Sequence, residues 1–354
     1  MNDVIVIGGG QSGLAAARAA RARGLNPIVL EAGSEPTGSW PHYYDSLTLF
    51  SPAGYSGMPG VPFPGSPERY PTRDEVADYL RGYAAGLDVD IRTDTRVTAV
   101  TARPSGGFLV HTAAGEALPA AGVVAATGSF GNPYLPTLPG SSGFAGQVLH
   151  AAAYRGPKPF AGQRIVVVGA GNSAVQIGYE LADVAEVTLA TRQPISFVPQ
   201  RLRGRDLHYW LRHTGFDDLP AEWLARLVSG TLVLDTGDYH RAFDTGRLDR
   251  RPMFTAFDAD HLVWSDGSRE RVDTVLFATG YRPHLDYLEP LDALTGGLAQ
   301  HTGGISTTHV GLVYVGLEFQ RSFASNTLRG VHRDAEHVTA ALTAHVRDAG
   351  WLVA

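Results

Sequence analysis

Apolar residues run unbroken from Val4 to Ile7, stop at Gly8-Gly9-Gly10, then recur at helical spacing from Gln11 to Arg23 before a second apolar run at 27–30. A short continuous run bounded by glycine reads as a fully buried strand, and a 3.6-residue recurrence reads as a helix. The pattern therefore predicts a strand at about 3–7, a helix over Gln11–Arg23 and a strand at about 27–31 that ends on Glu31, which together make a βαβ unit. The same pattern returns later. DVIVIGGGQSGLAAA from Asp3 matches RIVVVGAGNSAVQIG from Arg164, so a second βαβ unit is expected from Arg164 to about Ala190. A further echo follows each copy: VVAATGSF at Val123 and VLFATGYR at Val275 both carry an apolar strand into Ala-Thr-Gly.

The rest of the chain is less periodic. Eight prolines and five glycines lie between Pro36 and Pro71, which argues for a long ordered loop without regular structure. Thr72-Arg-Asp-Glu75 has the spacing of a capping box ahead of a helix to about Gly86. Alternating segments predict strands near 95–102, 107–112 and 117–126, and NPYLPTLPG leads out of the last of them. Residues 193–262 are rich in Trp, Arg and His and show only weak helical pattern. A strand returns at 272–277, another is expected at 312–316, and a helix closes the chain from about Gly330 to Asp348.

Composition narrows the function classes. The 354 residues suit about two domains, and 44% apolar against 18% charged residues is a globular balance. A net charge of -6 offers no electrostatic footprint for nucleic acid or an anionic membrane. The absence of cysteine excludes disulfides, thiolate metal sites, a Cys nucleophile and a redox-active dithiol. No run of about 20 apolar residues and no basic leader before Val4 are found, so a cytoplasmic protein is expected.

Gly8-x-Gly10-x-x-Gly13 sits where a strand becomes a helix: Gly8 for the tight turn, Gly10 for backbone approach to a pyrophosphate, Gly13 for close helix-strand packing. Glu31 ends the second strand, where a carboxylate accepts from ribose hydroxyls. A glycine-rich turn beside an unrelated glutamate would explain the residues singly, but the order strand, helix, strand, acid favours a dinucleotide. The second copy reads Gly169-x-Gly171-x-x-Ala174, and Thr191-Arg192 stand where the first copy has Glu31. Arginine there suits a 2′-phosphate, which points to NADP, although a solvated arginine would look the same. Two such sites suggest FAD plus a nicotinamide reductant.

Between the fingerprints, Phe144-x-Gly146-x-x-x-His150-x-x-x-Tyr154 resembles the signature of flavin-containing monooxygenases. Gly38-Ser39-Trp40, the two Ala-Thr-Gly segments and the ending GLVYVGL...GV...DA at 311–335 are similar to that family too, in the same order. YDSLTLFSP at 44–52 looks like its short bacterial members and the plant auxin-forming enzymes. The resemblance implies an α/β fold of two Rossmann-like domains, with FAD bound by 1–156 plus 272–354 and NADPH by an inserted 157–271. It implies that NADPH reduces FAD, that a C4a-(hydro)peroxyflavin forms with dioxygen, and that one oxygen atom passes to a small substrate. The cofactor contacts it carries over are Gly8, Gly10, Gln11, Ser12, Gly13, Glu31, Ala32, Gly38, Ser39, Trp40, Thr127 and Gly128 for FAD. For NADPH they are Gly169, Gly171, Asn172, Ser173, Ala174, Thr191 and Arg192, and Thr279 and Gly280 are cofactor contacts as well.

Phe144, Gly146, His150 and Tyr154 then form an interdomain hinge, with His150 positioning and not transferring protons. Trp40, Phe50, Ser51 and Asn326 are the pocket candidates. Phe50 stands where amine-oxidising members carry asparagine, so amine chemistry is in question, and Ser51 is the nearest replacement hydroxyl. His332, Glu336 and His337 have ligand-like spacing but lack a third partner, and a solvated helix face is expected instead of a metal. Arg201, Arg203, Arg205, His208, Tyr209 and Trp210 read either as surface or as a lid over the nicotinamide. An NADPH-dependent flavin reductase without oxygenation and a non-catalytic redox sensor remain alternatives.

Overall fold

Val4 and Val6 pack to one side of their strand and Ile5 and Ile7 to the other, in two separate hydrophobic clusters. A strand buried on both faces is the centre of a parallel sheet. In the computed structural model, which describes residues 2–227 and 232–351, β1 (Asn2–Ile7) lies between β2 (Pro27–Leu30) and β6 (Ala117–Ala125), parallel to both. β3 (Asp90–Arg92) extends the sheet beyond β2, and the strand Leu312–Tyr314 extends it beyond β6. β4 (Val97–Ala102) and β5 (Phe108–Thr112) join as an antiparallel pair on β6. Helix α1 (Gln11–Ala22) and the helix Val331–Trp351 pack together on one face, with Leu14, Val124, Val338 and Leu342 in the shared core. α2 (Arg73–Ala85) begins with the expected capping box, the Thr72 hydroxyl accepting from Glu75 N–H and the Glu75 carboxylate from Thr72 N–H.

The second sheet is built the same way. β8 (Arg164–Val168) alternates Ile165 and Val167 into one cluster with Val166 and Val168 into another. Its neighbours are β9 (Glu186–Thr191) and the strand Thr274–Phe277, with Asp249–Pro252 outside β9 and β7 (Gln147–His150) outside 274–277, all parallel. Helix α3 (Asn172–Leu181) covers one face, and an antiparallel meander, 256–258, 261–263 and 269–271, adjoins the other. The expected boundaries at 156/157 and 271/272 left 147–150 and 274–277 with the first sheet. Their backbone hydrogen bonds put both in the second.

The chain crosses between sheets twice, just after each Ala-Thr-Gly. The two crossings are bonded to one another: Tyr134 N–H to Gly280 O at 3.0 Å, Arg282 N–H to Asn132 O at 2.9 Å and His284 N–H to Gly128 O at 2.9 Å. The repeated motif thus marks a double connection, which fits the nested order the sequence suggested.

At Gly13, close approach of helix and strand demands glycine: a Cβ would sit 1.8 Å from Gly8 O. The obstacle is backbone, so Gly13→Ala is expected to cost about 1–3 kcal/mol by overpacking, read as a lower urea midpoint at unchanged slope. Its counterpart Ala174 already accommodates a methyl group, at 3.1 Å from the site of a Gly169 Cβ.

Candidate cofactor and substrate site

The first fingerprint opens on a cavity of about 570 Å³ at the carboxyl ends of β1, β2 and β6, where open α/β sheets bind ligands. Of the expected contacts, Gly8, Gly10, Gln11, Ser12, Glu31, Ala32, Gly38, Ser39, Thr127, Gly128 and Asn326 line it together. Gly8 takes φ +105°, and a side chain there would reach Ala126 O at 2.6 Å. Gly10 has an ordinary φ of -77° and is the N-cap of α1, with no side chain capping the first turn. The free amides of that turn suit an anion. Gly38, at φ +59°, brings its backbone onto Gly10: a Cβ on either glycine would meet the other's Cα, at 2.8 or 3.3 Å. Glu31 lies across the turn, Oε2 accepting from Gly9 N–H at 2.5 Å and Oε1 from Gly33 N–H at 2.7 Å. Each carboxylate oxygen keeps capacity for a ribose hydroxyl. An uncapped helix start, a cradle with no Cβ and an acid at the strand end fit the pyrophosphate and ribose of a dinucleotide.

Trp40 and Gly13 support this cavity without lining it. The Trp40 indole N–H donates to Gln11 Oε1 at 2.8 Å, and Gln11 Nε2 donates to Asn326 O at 3.4 Å. Thr95–Thr98, Tyr43, Phe130, Asp286, Tyr287 and Gly316 also line the cavity and escaped the sequence reading. Thr95 is placed by the β2–β3 pairing, its N–H donating to Glu31 O at 2.8 Å. Its signal was only position, one strand beyond the acid. Tyr43 packs on Phe130 at 4.6 Å and Phe130 on Tyr281 at 5.3 Å, while His150 meets Tyr281 edge-on at 5.0 Å. This aromatic column runs from the cavity to the hinge signature.

His150 is buried, with Nδ1 accepting from Ala152 N–H and Nε2–H donating to Gly280 O, both at 3.0 Å. That pairing requires the neutral ring, and burial lowers its pKa further despite the Gly280 carbonyl. Tyr154 is fully buried, donates to Glu180 on α3 at 2.9 Å, and is pushed far up in pKa by burial and by that carboxylate. Phe144 packs on Phe257 at 4.9 Å, and a Cβ at Gly146 would sit 2.6 Å from Asp273 O. The signature is thus a packed splice between sheets.

At the second fingerprint, Gly171 caps α3 with the same extended backbone as Gly10 and no side-chain cap. Gly169 has φ +146° and faces Ala278 O, just ahead of Thr279-Gly280. Asn172 is engaged elsewhere, bonding Leu232 O and Leu234 N–H. Arg192 is exposed at the end of β9, and buried Thr191 accepts from Arg250 Nε at 2.7 Å. Arg250 is thus a second guanidinium held at the end of β9, on the residue before Arg192. It was illegible because its strand, Asp-Arg-Arg-Pro, carries no apolar pattern.

Phe50 and Ser51 do not reach the cavity. Ser51 is buried with its hydroxyl 2.9 Å from that of Ser56, which corrects its reading as a pocket hydroxyl. Phe50 is 42% exposed and stacks on His208 at 6.0 Å. Within the basic aromatic segment Arg201, Arg203 and Arg205 are exposed, whereas His208 is only 1% exposed and bonded to Asp206. Burial alone would raise the Asp206 carboxyl, but hydrogen bonds from the His208 side chain, Tyr70, the His208 backbone and Gln200 outweigh it and hold the pKa down at about 2. A carboxyl depressed below its usual 3.8 adds stability that is present above about pH 4 and lost as pH falls toward 2. The melting-temperature gap between wild type and Asp206→Asn is therefore expected to be full at pH 5 and to close in acid. Among His332, Glu336 and His337, the last two are exposed on the terminal helix.

Residues 5–215 match the family model described as pyridine nucleotide-disulphide oxidoreductase. The chain belongs to that family. The oxidoreductase is 30% identical over 339 residues to the uncharacterized CzcO-like oxidoreductase of Geobacillus kaustophilus, covering 95% of this chain and 97% of that one. It is also 30% identical over 313 residues to an indole-3-pyruvate monooxygenase of Oryza sativa subsp. japonica, covering 79% and 77%. Among solved structures, a flavin-containing monooxygenase from Stenotrophomonas maltophilia is 34% identical over 98% of this chain and 99% of its own, at TM-score 0.83. Cyclohexanone monooxygenase, at 18% identity and TM-score 0.73, shares the fold. The oxidoreductase thus has the two-Rossmann-domain α/β architecture of flavoproteins, and no helix among its described residues is long and apolar enough to cross a membrane.

Proposed function

We propose that the oxidoreductase is an FAD- and NADPH-dependent monooxygenase, acting in the cytoplasm, that transfers one atom of dioxygen to a small organic or heteroatom substrate. The observation that carries this reading is end-to-end similarity to a flavin-containing monooxygenase in a chain with no cysteine. Without a thiol, the disulphide chemistry in the family's description is unavailable to it.

When bound, FAD accepts hydride from NADPH and activates dioxygen. The chain's own residues supply binding, orientation and exclusion of water. The first turns of α1 and α3 receive the two pyrophosphates, and Glu31 holds a ribose. Arg192 and Arg250 bind the 2′-phosphate. The Trp40–Gln11–Asn326 linkage fastens the loop over the cavity, and Tyr43 and Phe130 give it an apolar wall.

The reductase alternative draws support from one fact: neither Phe50 nor Ser51 offers a polar group to the cavity. An oxygen electrode separates the two. With a substrate present, added catalase should return little of the oxygen consumed during NADPH oxidation; return of half of it, with every substrate tried, would favour the reductase.

A further inference from the structure

The loop 36–71 meets the cofactor cavity at one end, through Gly38, Ser39 and Tyr43, and a buried polar cluster at the other. The centre of the cluster is Asp206, 8% exposed, and every group around it donates. The Tyr70 hydroxyl lies at 2.6 Å, with Gln200 Nε2, the His208 N–H and His208 Nδ1 each at 2.8 Å. Gln200 also donates to the Phe50 carbonyl at 2.9 Å. The buried His208 imidazole packs against the rings of Phe50 and Tyr55, at 6.0 and 6.1 Å. Phe50, Tyr55 and Tyr70 belong to the loop, whereas Gln200, Asp206 and His208 belong to the segment that follows the second βαβ unit. A few residues further on, Asp217 and Arg329 form a buried two-bond ion pair at 2.8 and 2.9 Å, three positions from Asn326.

A carboxylate with four donors and little water is an expensive arrangement, and dinucleotide binding has no use for it. Its members come from opposite sides of one seam, 136 residues apart for Tyr70 and Asp206. We propose that Asp206 is a positioning residue: it locks residues 196–213 onto the loop, holding the Phe50 ring against the buried His208 imidazole and closing the seam around that ring to water. The consequence for the reaction, efficient use of reduced cofactor with little peroxide escaping, rests on the monooxygenase reading. An asparagine keeps one acceptor oxygen for the four donors and turns its NH2 either toward Tyr70 and Gln200 or toward His208, so at least one pair of donors loses its acceptor. The seam then opens on both sides together.

Hydrogen exchange followed by mass spectrometry on FAD-loaded Asp206→Asn tests this. Peptides covering 200–208 and 48–55 should both exchange about 10-fold faster, the size of one lost charged hydrogen bond, while 164–191 keeps its wild-type rate. Peroxide released per NADPH oxidised should rise about 3-fold or more, and that rise should vanish when Phe50→Ala is already present. Acceleration confined to 200–208, or an equal rise with and without Phe50, would overturn the proposal. Tyr70→Phe removes one bond without removing the charge; should the Asp206 variant not fold, the same two peptides must accelerate in Tyr70→Phe, and their failure to do so refutes the lock. If wild type itself releases one peroxide per NADPH with every substrate, the monooxygenase reading falls, and the exchange comparison still decides the role of Asp206.

Discussion

Gly10→Val is expected to yield a folded, colourless protein that no longer retains FAD. Gly10 has φ -77° and ψ -172°, a conformation valine adopts freely, so the backbone is not strained. The obstacle is spatial: a Cβ at Gly10 meets the Gly38 Cα at 3.3 Å, and two further methyl groups occupy the space beside the uncapped α1 turn. The pyrophosphate loses its approach to the amides, and the Trp40 loop is displaced from its seat. Flavin content after desalting and the circular dichroism spectrum check this together. Stoichiometric FAD in the variant would remove the fingerprint from the cofactor assignment. Gly38 is a poorer test, because its φ of +59° would add strain to any steric effect.

Arg192→Ala is expected to lower kcat/KM for NADPH by about 10- to 150-fold, the loss of charged hydrogen bonds worth roughly 1.5–3 kcal/mol, and to leave NADH nearly unchanged. Arg192 is exposed at the end of β9, and Arg250 is hydrogen-bonded to the preceding residue, Thr191. Arg250→Ala should act in the same direction. Arg192→Glu should lose more than Arg192→Ala, since repulsion of the 2′-phosphate is added to the missing contact. Steady-state rates with both nucleotides decide it: an unchanged preference in Arg192→Ala would return that residue to the solvated surface and leave Arg250 as the discriminating group.

The parallel cores were legible because buried strands such as Val4–Ile7 and Arg164–Val168 are nearly pure apolar runs, and because the same unit occurs twice. Strands made by pairing and not by pattern were illegible. Asp90–Arg92, Asp249–Pro252 and Arg269–Arg271 are short and largely charged, and only neighbouring backbone makes them strands. The sheet boundaries shifted for the same reason, since Gln147–His150 reveals its partner only through hydrogen bonds to 274–277. That Gly8, Gly10 and Glu31 line one cavity could be read because they are local to one βαβ unit. Arg250, Thr95 and the Asp206 cluster could not, because their partners lie far off in sequence.

Oxygen transfer is tested by the fate of labelled dioxygen. FAD-loaded enzyme with NADPH under ¹⁸O₂ is offered organic sulfides, ketones and 2-oxo acids, indole-3-pyruvate among them, and the products are weighed by mass spectrometry. A monooxygenase places one ¹⁸O atom in the product of at least one class, with peroxide below one per NADPH. Unlabelled substrates throughout, with every NADPH matched by one peroxide, would contradict it.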